Sequence, residues 1–321
     1  MFNSTHTLVG LAIARTAPEK WGPNAAATAV IASNLPDIDS IAGLWGTAAY
    51  LDHHRGITHS LIGVPLLALL LSSVMYFFSG KFGKTYAIAV IAMATHPALD
   101  YLNSYGLRPF LPWSGTWYYG DAVFIIDPYL DLLLLIGILA GSWIADMKRM
   151  AARLTLVAAL VYIGARIELH AMAQTKLDTL TTHFPSVVGD SAVLPEMWNP
   201  LMWEGIVESK QQISRLSVHA LTPSGFPPPT SGLPPDFNPM DRGPSSQLVL
   251  KAAAARSAAT LLRFARFPVT RVQPLLSGYR ITFMDFRFYR EGTNTALASE
   301  VTLDESLRVK KESLSFVERL N

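Results

Sequence analysis

Cysteine is absent from this 321-residue chain, and charged residues make up only 16% of it. Without thiols the chain can form no disulfide, no thiolate metal site and no cysteine nucleophile, and it suits any redox compartment. A bound metal must therefore use nitrogen and oxygen ligands. The formal net charge is +2, with no long basic run, so the electrostatic signature of nucleic-acid binding is missing. No nucleic-acid partner is expected.

Two hydrolase signatures are missing as well. The sequence has neither the His-Glu-x-x-His motif of intramembrane metalloproteases nor the Gly-x-Ser-x-Gly motif of serine hydrolases. A signal peptide is not predicted, because the N-terminus lacks a basic region and a cleavage site after a sustained apolar stretch. Half of all residues are nevertheless apolar. This excess, concentrated in the first 180 residues, indicates an integral membrane protein.

Apolar segments predict an all-α membrane domain over residues 1–180. About 20 apolar residues cross a hydrocarbon core of ~30 Å. Four segments approach that length, at 61–79, 86–102, 123–145 and 154–173. Two weaker segments, 6–14 and 25–32, are too short to span and predict two short N-terminal helices. We expect Pro97 to kink or end the second span.

Residues 181–321 are more polar and predict a small α+β domain outside the membrane. The segment SGYRITFMDFRFYR at 277–290 largely alternates apolar and polar residues, as a half-buried strand does. Similar strands are predicted at 206–218 and 296–303. Residues 247–267 predict an Ala- and Arg-rich helix. Residues 223–244, dense in Pro, Gly and Ser, predict a flexible loop.

Basic residues in the short loops predict the orientation. They follow the first and third spans and comprise Lys81, Lys84, Lys148, Arg149 and Arg153. The loop after the second span offers only Arg108. The basic loops are therefore expected in the cytoplasm and the C-terminal domain outside it. The start of the first span, the end of the second and the start of the third then share one membrane face.

Histidine and aspartate cluster at those same helix ends. Asp52-His53-His54-Arg55-Gly56-Ile57-Thr58-His59-Ser60 precedes the first span, and Pro36-Asp37-Ile38-Asp39 ends the second short helix. His96 and Asp100 are four residues apart and so lie on one helix face, a spacing that Asp127 and Asp131 repeat. Imidazole together with carboxylate suits zinc, manganese or iron, whereas magnesium and calcium prefer all-oxygen sites.

Several of these residues have alternative explanations. Pro36-Asp37-Ile38-Asp39 is compatible with a helix stop and a turn. Asp127 and Asp131 could form a proton relay or cap the third span, since carboxylates are favoured near helix N-termini. Asp100 in an apolar segment indicates function, because ionisable groups inside membranes are costly. Of the adjacent His53 and His54, only one is expected to bind metal.

The motif His54-Arg55-Gly56-Ile57-Thr58-His59-Ser60, with Asp37 to Asp39 upstream and His96 to Asp100 downstream, resembles the YdjM family of bacterial inner-membrane proteins, described as metal-dependent hydrolases. The resemblance covers roughly residues 1–180. His6 followed by Gly10, and Ile126-Asp127-Pro128, also match family motifs, and the family motif favours His54 over His53. The family in turn resembles the zinc-dependent phospholipase C and nuclease group. The chain departs from that group, because no second His pair and no His-x-x-x-Glu follows Asp100.

The resemblance implies a membrane-bound hydrolase that acts on a phosphoester, with a lipid or lipid-linked substrate, two or three divalent ions and zinc as the expected metal. The predicted ligands are His6, Asp37, His54, His59, His96 and Asp100, with Asp127 and Asp131 in a second tier. Asp39 could act as general base or orient an imidazole, and Arg55 could pair with a substrate phosphate. The alternatives are a proton-coupled transporter or channel, and a membrane anchor with a structural metal and a partner-binding C-terminal domain.

Overall fold

The structure is a computed structural model that describes residues 1–17, 24–143, 147–182, 187–209, 213–222, 231–232, 238–239, 247–289 and 296–317. Its helices are α1 Asn3–Thr16, α2 Ala25–Asn34, α3 Thr47–His53, α4 Gly63–Ser79, α5 Phe82–Tyr101, α6 Pro128–Trp143, α7 Lys148–Thr182, α8 Gln247–Ala253 and α9 Arg256–Phe264. Short 3-10 helices occupy Leu35–Trp45, Ile57–His59 and Phe286–Phe288.

The strands form two sheets. They are β1 Val187–Pro195, β2 Met202–Ser209, β3 Ile213–His219, β4 Ser231–Gly232, β5 Asn238–Pro239, β6 Pro268–Leu275, β7 Gly278–Asp285, β8 Ala296–Leu303 and β9 Val309–Val317. A four-stranded sheet has the order β1-β2-β3-β4, and a five-stranded sheet has the order β5-β6-β7-β8-β9. From β5 to β9 neighbouring strands pair antiparallel, and α9 packs against β7, β8 and β9.

The contacts divide the chain into two compact units. One comprises Met1–Ile41, His53–Met172 and Leu194–Met202, and the other comprises Ala42–Asp52, Ala173–Val193 and Trp203–Asn321. The helical part followed by a small β-sheet domain agrees with the predicted order of structure. The predicted helix at 247–267 is two helices, α8 and α9. Of the predicted loop at 223–244, all but 231–232 and 238–239 lies outside the described residues.

The core of the first unit is built from helices that approach closely. Gly10 on α1 allows this approach, because a Cβ there would lie 2.9 Å from the carbonyl oxygen of Ala29 and would collide with the Ser33 hydroxyl on α2. Ala29, Ala32, Ala68 and Ala92 are fully buried between α2, α4 and α5. The small side chains bring the helix ends that carry histidine and aspartate close to one another.

The prediction of about four spans is wrong in number. Among the described residues only α7 is long and apolar enough to cross a membrane by itself, and α3 to α4 would add a second span if this pair, bent by 77°, counts as one broken span. Helices α4 and α6 have 17 and 16 residues. At 1.5 Å per residue they reach only about 24–26 Å. Helix α5 continues through Pro97 to Tyr101, but Lys84, His96 and Asp100 lower its hydropathy.

Candidate metal centre

Two further segments of the first unit, one with His54 and His59 and one with His96 and Asp100, meet the segment of Asp37. The Oδ1 atom of Asp37 lies 3.5 Å from Nε2 of His59, 3.4 Å from Nε2 of His96 and 4.0 Å from Nδ1 of His54. Asp100 joins them from α5, with Oδ2 3.4 Å from Nε2 of both His59 and His96. These residues form two groups whose ligand atoms lie within 4.8 Å of one another: Asp37, His59, His96 and Asp100; and Asp37, Asp39 and His54.

The predicted histidine ligand nearest the N-terminus, His6, lies beside these groups but belongs to neither. His6 on α1 is fully buried, and its ring stacks on that of His96 with centroids 3.7 Å apart. Its Nε2 atom is 3.4 Å from Oδ1 of Asp100. Neither of its ring nitrogens has a hydrogen-bond partner. His6 is therefore placed to contribute a nitrogen to the same centre.

Backbone and hydroxyl groups fix the tautomers of two imidazoles. Nδ1 of His96 lies 2.7 Å from the carbonyl oxygen of Ser33, which can only accept, so Nδ1 carries the proton and Nε2 is bare. The Thr58 hydroxyl donates its proton to Asp39 at 2.6 Å. The Thr58 oxygen can then only accept from Nδ1 of His59 at 3.0 Å, so Nδ1 of His59 carries the proton and its Nε2 is bare. Both bare Nε2 atoms face the carboxylates, as required of metal ligands.

The buried polar atoms fit a metal ion. Nε2 of His59 and His96 and Oδ2 of Asp100 have no hydrogen-bond partner, although all are buried, whereas Oδ1 of Asp100 contacts the Arg55 guanidinium and the N-terminal ammonium of Met1. Buried polar groups are normally hydrogen-bonded, and several lone pairs converging without a donor are stabilised by a cation. Imidazole nitrogen with carboxylate oxygen is a donor set that zinc accepts. The residues present therefore fit a divalent metal.

Asp39 holds its neighbours in position. One oxygen lies 2.9 Å from Nδ1 of His54, and the other accepts from the backbone amide of Arg55 at 3.0 Å and from Thr58. Burial alone would raise the pKa of Asp39, but hydrogen bonds from His54 and His59 outweigh it and hold the pKa well below its usual range. The Asp39 carboxyl is therefore ionised at neutral pH.

Arg55 turns into the centre from an unusual backbone conformation. Its φ is 52°, a left-handed value that is uncommon for a residue with a side chain. Gly56 allows the tight turn, because a Cβ there would lie 2.6 Å from the carbonyl oxygen of His53. The guanidinium is 3.0 Å from Oδ1 of Asp100 and donates to the side-chain oxygen of Asn103 at 2.9 Å. Arg55 is 2% exposed.

The structure places Asp127 and Asp131 outside both ligand groups. Asp127 accepts from the backbone amides of Tyr129 and Leu130 at 3.1 and 2.9 Å, as an N-cap of α6 does, and the hydroxyl of Tyr162 donates to it as well. Asp131 accepts from the hydroxyls of Ser4 and Thr5. The i,i+4 spacing alone did not reveal that α1, α7 and the cap of α6 engage these carboxylates.

The remaining histidines also differ in position. His54 is buried and bonded to Asp39, whereas His53 is exposed at the end of α3, which agrees with the expectation that only His54 takes part. His219 is engaged elsewhere, since its Nδ1 accepts from the backbone amides of Leu221 and Thr222. His183 lies outside the described residues.

Sequence reasoning missed three contributors. They are the Ser33 carbonyl, the Thr58 hydroxyl and the Asn103 side chain. Thr58 and Asn103 could have been found from their positions beside His59 and three residues after Asp100. The Ser33 carbonyl has no side-chain signal in the sequence, because any residue offers the same backbone acceptor.

The fold and the site define a helical protein with apolar outer faces and a candidate centre for a divalent metal. Residues 1–173, more than half of the chain, match the model of the YdjM inner membrane protein family. The chain belongs to that family. It is also similar to YfhP, an uncharacterized protein of Bacillus subtilis (strain 168), with 29% identity over 140 residues. The match covers 40% of this chain and 43% of YfhP. No solved structure matches significantly.

Family membership accounts for the exposed apolar faces of the first unit. Phe77 on α4 is 86% exposed, Trp143 on α6 86% and Leu160 on α7 69%. Exposed apolar surface of this kind marks contact with a membrane or a partner. Neither of the two matches is to a phospholipase C or a nuclease, so that resemblance stays a prediction.

Proposed function

We propose that this protein is a membrane-bound metal-dependent hydrolase of a phosphoester. The observation that carries the proposal is the shared position of Asp37, one carboxylate that belongs to both ligand groups. A carboxylate common to two groups suits a pair of neighbouring ions, the arrangement found in many phosphatases and nucleases. A purely structural site usually needs one ion with four ligands.

The chain offers a separate role to each group. Asp37, His59, His96 and Asp100 would hold one ion, with His6 beside them, and Asp37 and His54 would contribute to the second, with Asp39 against His54. When bound, divalent ions supply Lewis-acid stabilisation of phosphoryl oxygens and a water of lowered pKa. Zinc is the metal proposed, on the basis of the nitrogen-and-oxygen donor set.

Asp39 and Arg55 act best as positioning residues. The contacts of Asp39 with His54, Thr58 and the Arg55 amide occupy both of its oxygens, which favours orientation of the imidazoles over general-base action. Arg55 is buried and paired with Asp100, which favours support of that ligand over direct contact with a substrate phosphate.

Access to the centre is easiest at Asp37. Its side chain is 16% exposed, whereas those of His59, His96 and Asp100 are at most 1% exposed. A substrate phosphate would therefore approach from the Asp37 side. A lipid or lipid-linked phosphoester is the substrate class proposed, because the family is one of inner membrane proteins. We place the centre at the extracytoplasmic face of a multi-pass bacterial inner-membrane protein, on the basis of the basic loops.

The test combines metal analysis with turnover. Protein purified in detergent without chelator should retain more than one zinc ion per chain by elemental analysis and hydrolyse a phosphodiester. His59→Ala and Asp100→Ala should lose at least one ion and the hydrolytic activity. His219→Ala is the matched control and should retain both.

Other outcomes separate the alternatives. Metal without turnover on any phosphoester would favour the membrane anchor with a structural metal. Metal-free protein with a pH-sensitive transport function would favour the transporter. If His59→Ala and Asp100→Ala keep full metal and full activity while well folded, the proposed centre is wrong.

A further inference from the structure

A groove of about 590 Å³ adjoins the candidate metal centre. His59 lies in its wall and also belongs to the ligand group around Asp37. One side of the groove comes from the start of α4, with Leu61, Val64 and Pro65. The polar end of the groove is therefore at a ligand of the proposed ion.

Helix α5 forms the opposite side of the groove with a row of apolar residues along one helix face. Val90, Ala94, Ala98 and Tyr101 are spaced three or four residues apart and so share one helix face. Small side chains at 94 and 98 leave the space open. The ligands His96 and Asp100 occupy a different face of the same helix, so α5 presents one face to the centre and another to the groove.

The lining is almost entirely apolar. The remaining wall is formed by Ser60, Leu107, Pro109, Phe110, Pro97 and Tyr118. Among the described residues that line the groove, none is Asp, Glu, Lys or Arg. Leu61, Tyr101 and Phe110 are 67%, 44% and 40% exposed, so the mouth of the groove is apolar as well. The size is typical of a small-molecule site.

We infer that this groove holds the hydrocarbon chain of the substrate, with the phosphoester directed past His59 towards Asp37. This inference rests on the proposed function and deepens it, because it assigns the residues that select a long-chain substrate. An uncharged apolar groove with one candidate ligand, His59, in its wall matches a lipid, which has one apolar and one charged end. Only a chain long enough to lie along the whole apolar wall contacts all of it, so chain length should affect binding.

The test of the groove needs no turnover. Protein in nanodiscs of phosphatidylethanolamine and phosphatidylglycerol is photolysed with phosphatidylglycerol that carries a diazirine in its acyl chain. Labelling of residues 61–65, 90–101 and 107–118 should saturate as the probe increases. Labelling of α6, whose Leu132, Ile136 and Leu139 are exposed, should rise in proportion to the probe. Groove labelling that rises in parallel with that of α6 would overturn the inference.

Two substitutions with a matched control sharpen the test. Ala94→Phe fills the groove and should lower its labelling at least fivefold, whereas Ala140→Phe, at an exposed alanine of α6, should leave it unchanged. Metal content checks that Ala94→Phe is folded, and Val90→Phe, one turn away, replaces it if metal is lost. Undiminished labelling in folded Ala94→Phe or Val90→Phe contradicts the inference.

The two proposals fail in different ways. Saturable groove labelling in a protein that hydrolyses no phosphoester would reject the hydrolase and retain a lipid-binding groove. Hydrolysis without saturable labelling would retain the hydrolase and reject the groove. With both intact, Ala94→Phe should lower the ratio of long-chain to short-chain phosphoester turnover about tenfold relative to wild type and to Ala140→Phe.

Discussion

The imidazole rings of His6 and His96 stack with their centroids 3.7 Å apart and their planes at 15°. The two residues are 90 positions apart in the chain, and helices α1 and α5 bring them together. Like-charged rings would repel each other at this distance, so the stack favours neutral imidazoles. Neutral imidazole is the form that binds metal.

Replacement of His6 separates stacking from ligation. His6→Phe keeps an aromatic ring against His96 but removes both nitrogens, and we expect at least a tenfold loss of affinity for zinc with an unchanged thermal midpoint of the metal-free protein. Competition with a chelating dye measures the affinity, and His219→Ala serves as control. Unchanged zinc affinity in His6→Phe would limit His6 to a packing role.

Loss of the Asp100 charge should harm stability as well as metal binding. Asp100→Asn leaves the buried Arg55 guanidinium without its carboxylate, and breaking a buried ion pair costs about 3–5 kcal/mol. The thermal midpoint of the metal-free protein should fall. Asp100→Asn combined with Arg55→Met should recover much of the stability but none of the metal. Equal midpoints for the single and double variants would contradict the pairing.

Asp39 is predicted to act through the imidazoles. Asp39→Ala should weaken zinc binding about 10–100-fold, the usual effect of removing a group that orients a ligating histidine. Asp52→Ala, at a carboxylate bonded to Thr260 and Arg263, is the control and should bind zinc as wild type does. A loss of zinc as complete as that in His59→Ala would instead make Asp39 an essential ligand.

Acid should release the metal by protonating the histidines. Although burial would raise it, hydrogen bonds from His54 and His59 lower the pKa of Asp39, so this carboxyl binds a proton only in strong acid. Burial lowers the pKa values of His6 and His54 below the usual imidazole value, so zinc content should stay constant through the usual imidazole range and fall only in more acidic solution. Elemental analysis after dialysis at a series of pH values measures this. Zinc loss that begins at neutral pH would contradict ligation by these buried histidines.

Topology is open to a direct test. Reporter fusions after residues 84 and 150 should give cytoplasmic signals, and a fusion after residue 321 should give an extracytoplasmic one, as the basic loops predict. A cytoplasmic signal after residue 321 would invert the proposed side of the centre or reduce the number of spans.

The sequence predicted the centre better than the spans. His96 and Asp100 share one helix face because helix periodicity is local and readable, whereas their approach to the motif at 54–60 is a tertiary contact. Asp127 has the same spacing to Asp131, yet it caps α6 locally and accepts from the Tyr162 hydroxyl in a tertiary contact. The prediction of four spans was wrong because α4 and α6 are only 17 and 16 residues long. The ends of these helices depend on the adjoining loops, whose turns have weak sequence signals.

The ligands come from segments that are far apart in the chain: His6, Asp37, the turn at His54 to His59, and His96 to Asp100. None of these segments holds enough donors for a complete centre. Zinc content would therefore report whether the helices have been inserted and assembled in the correct order during biosynthesis. A chain whose helices are inserted into the bilayer in the wrong order would lack a complete ligand set. Its low zinc content would then identify it as misassembled.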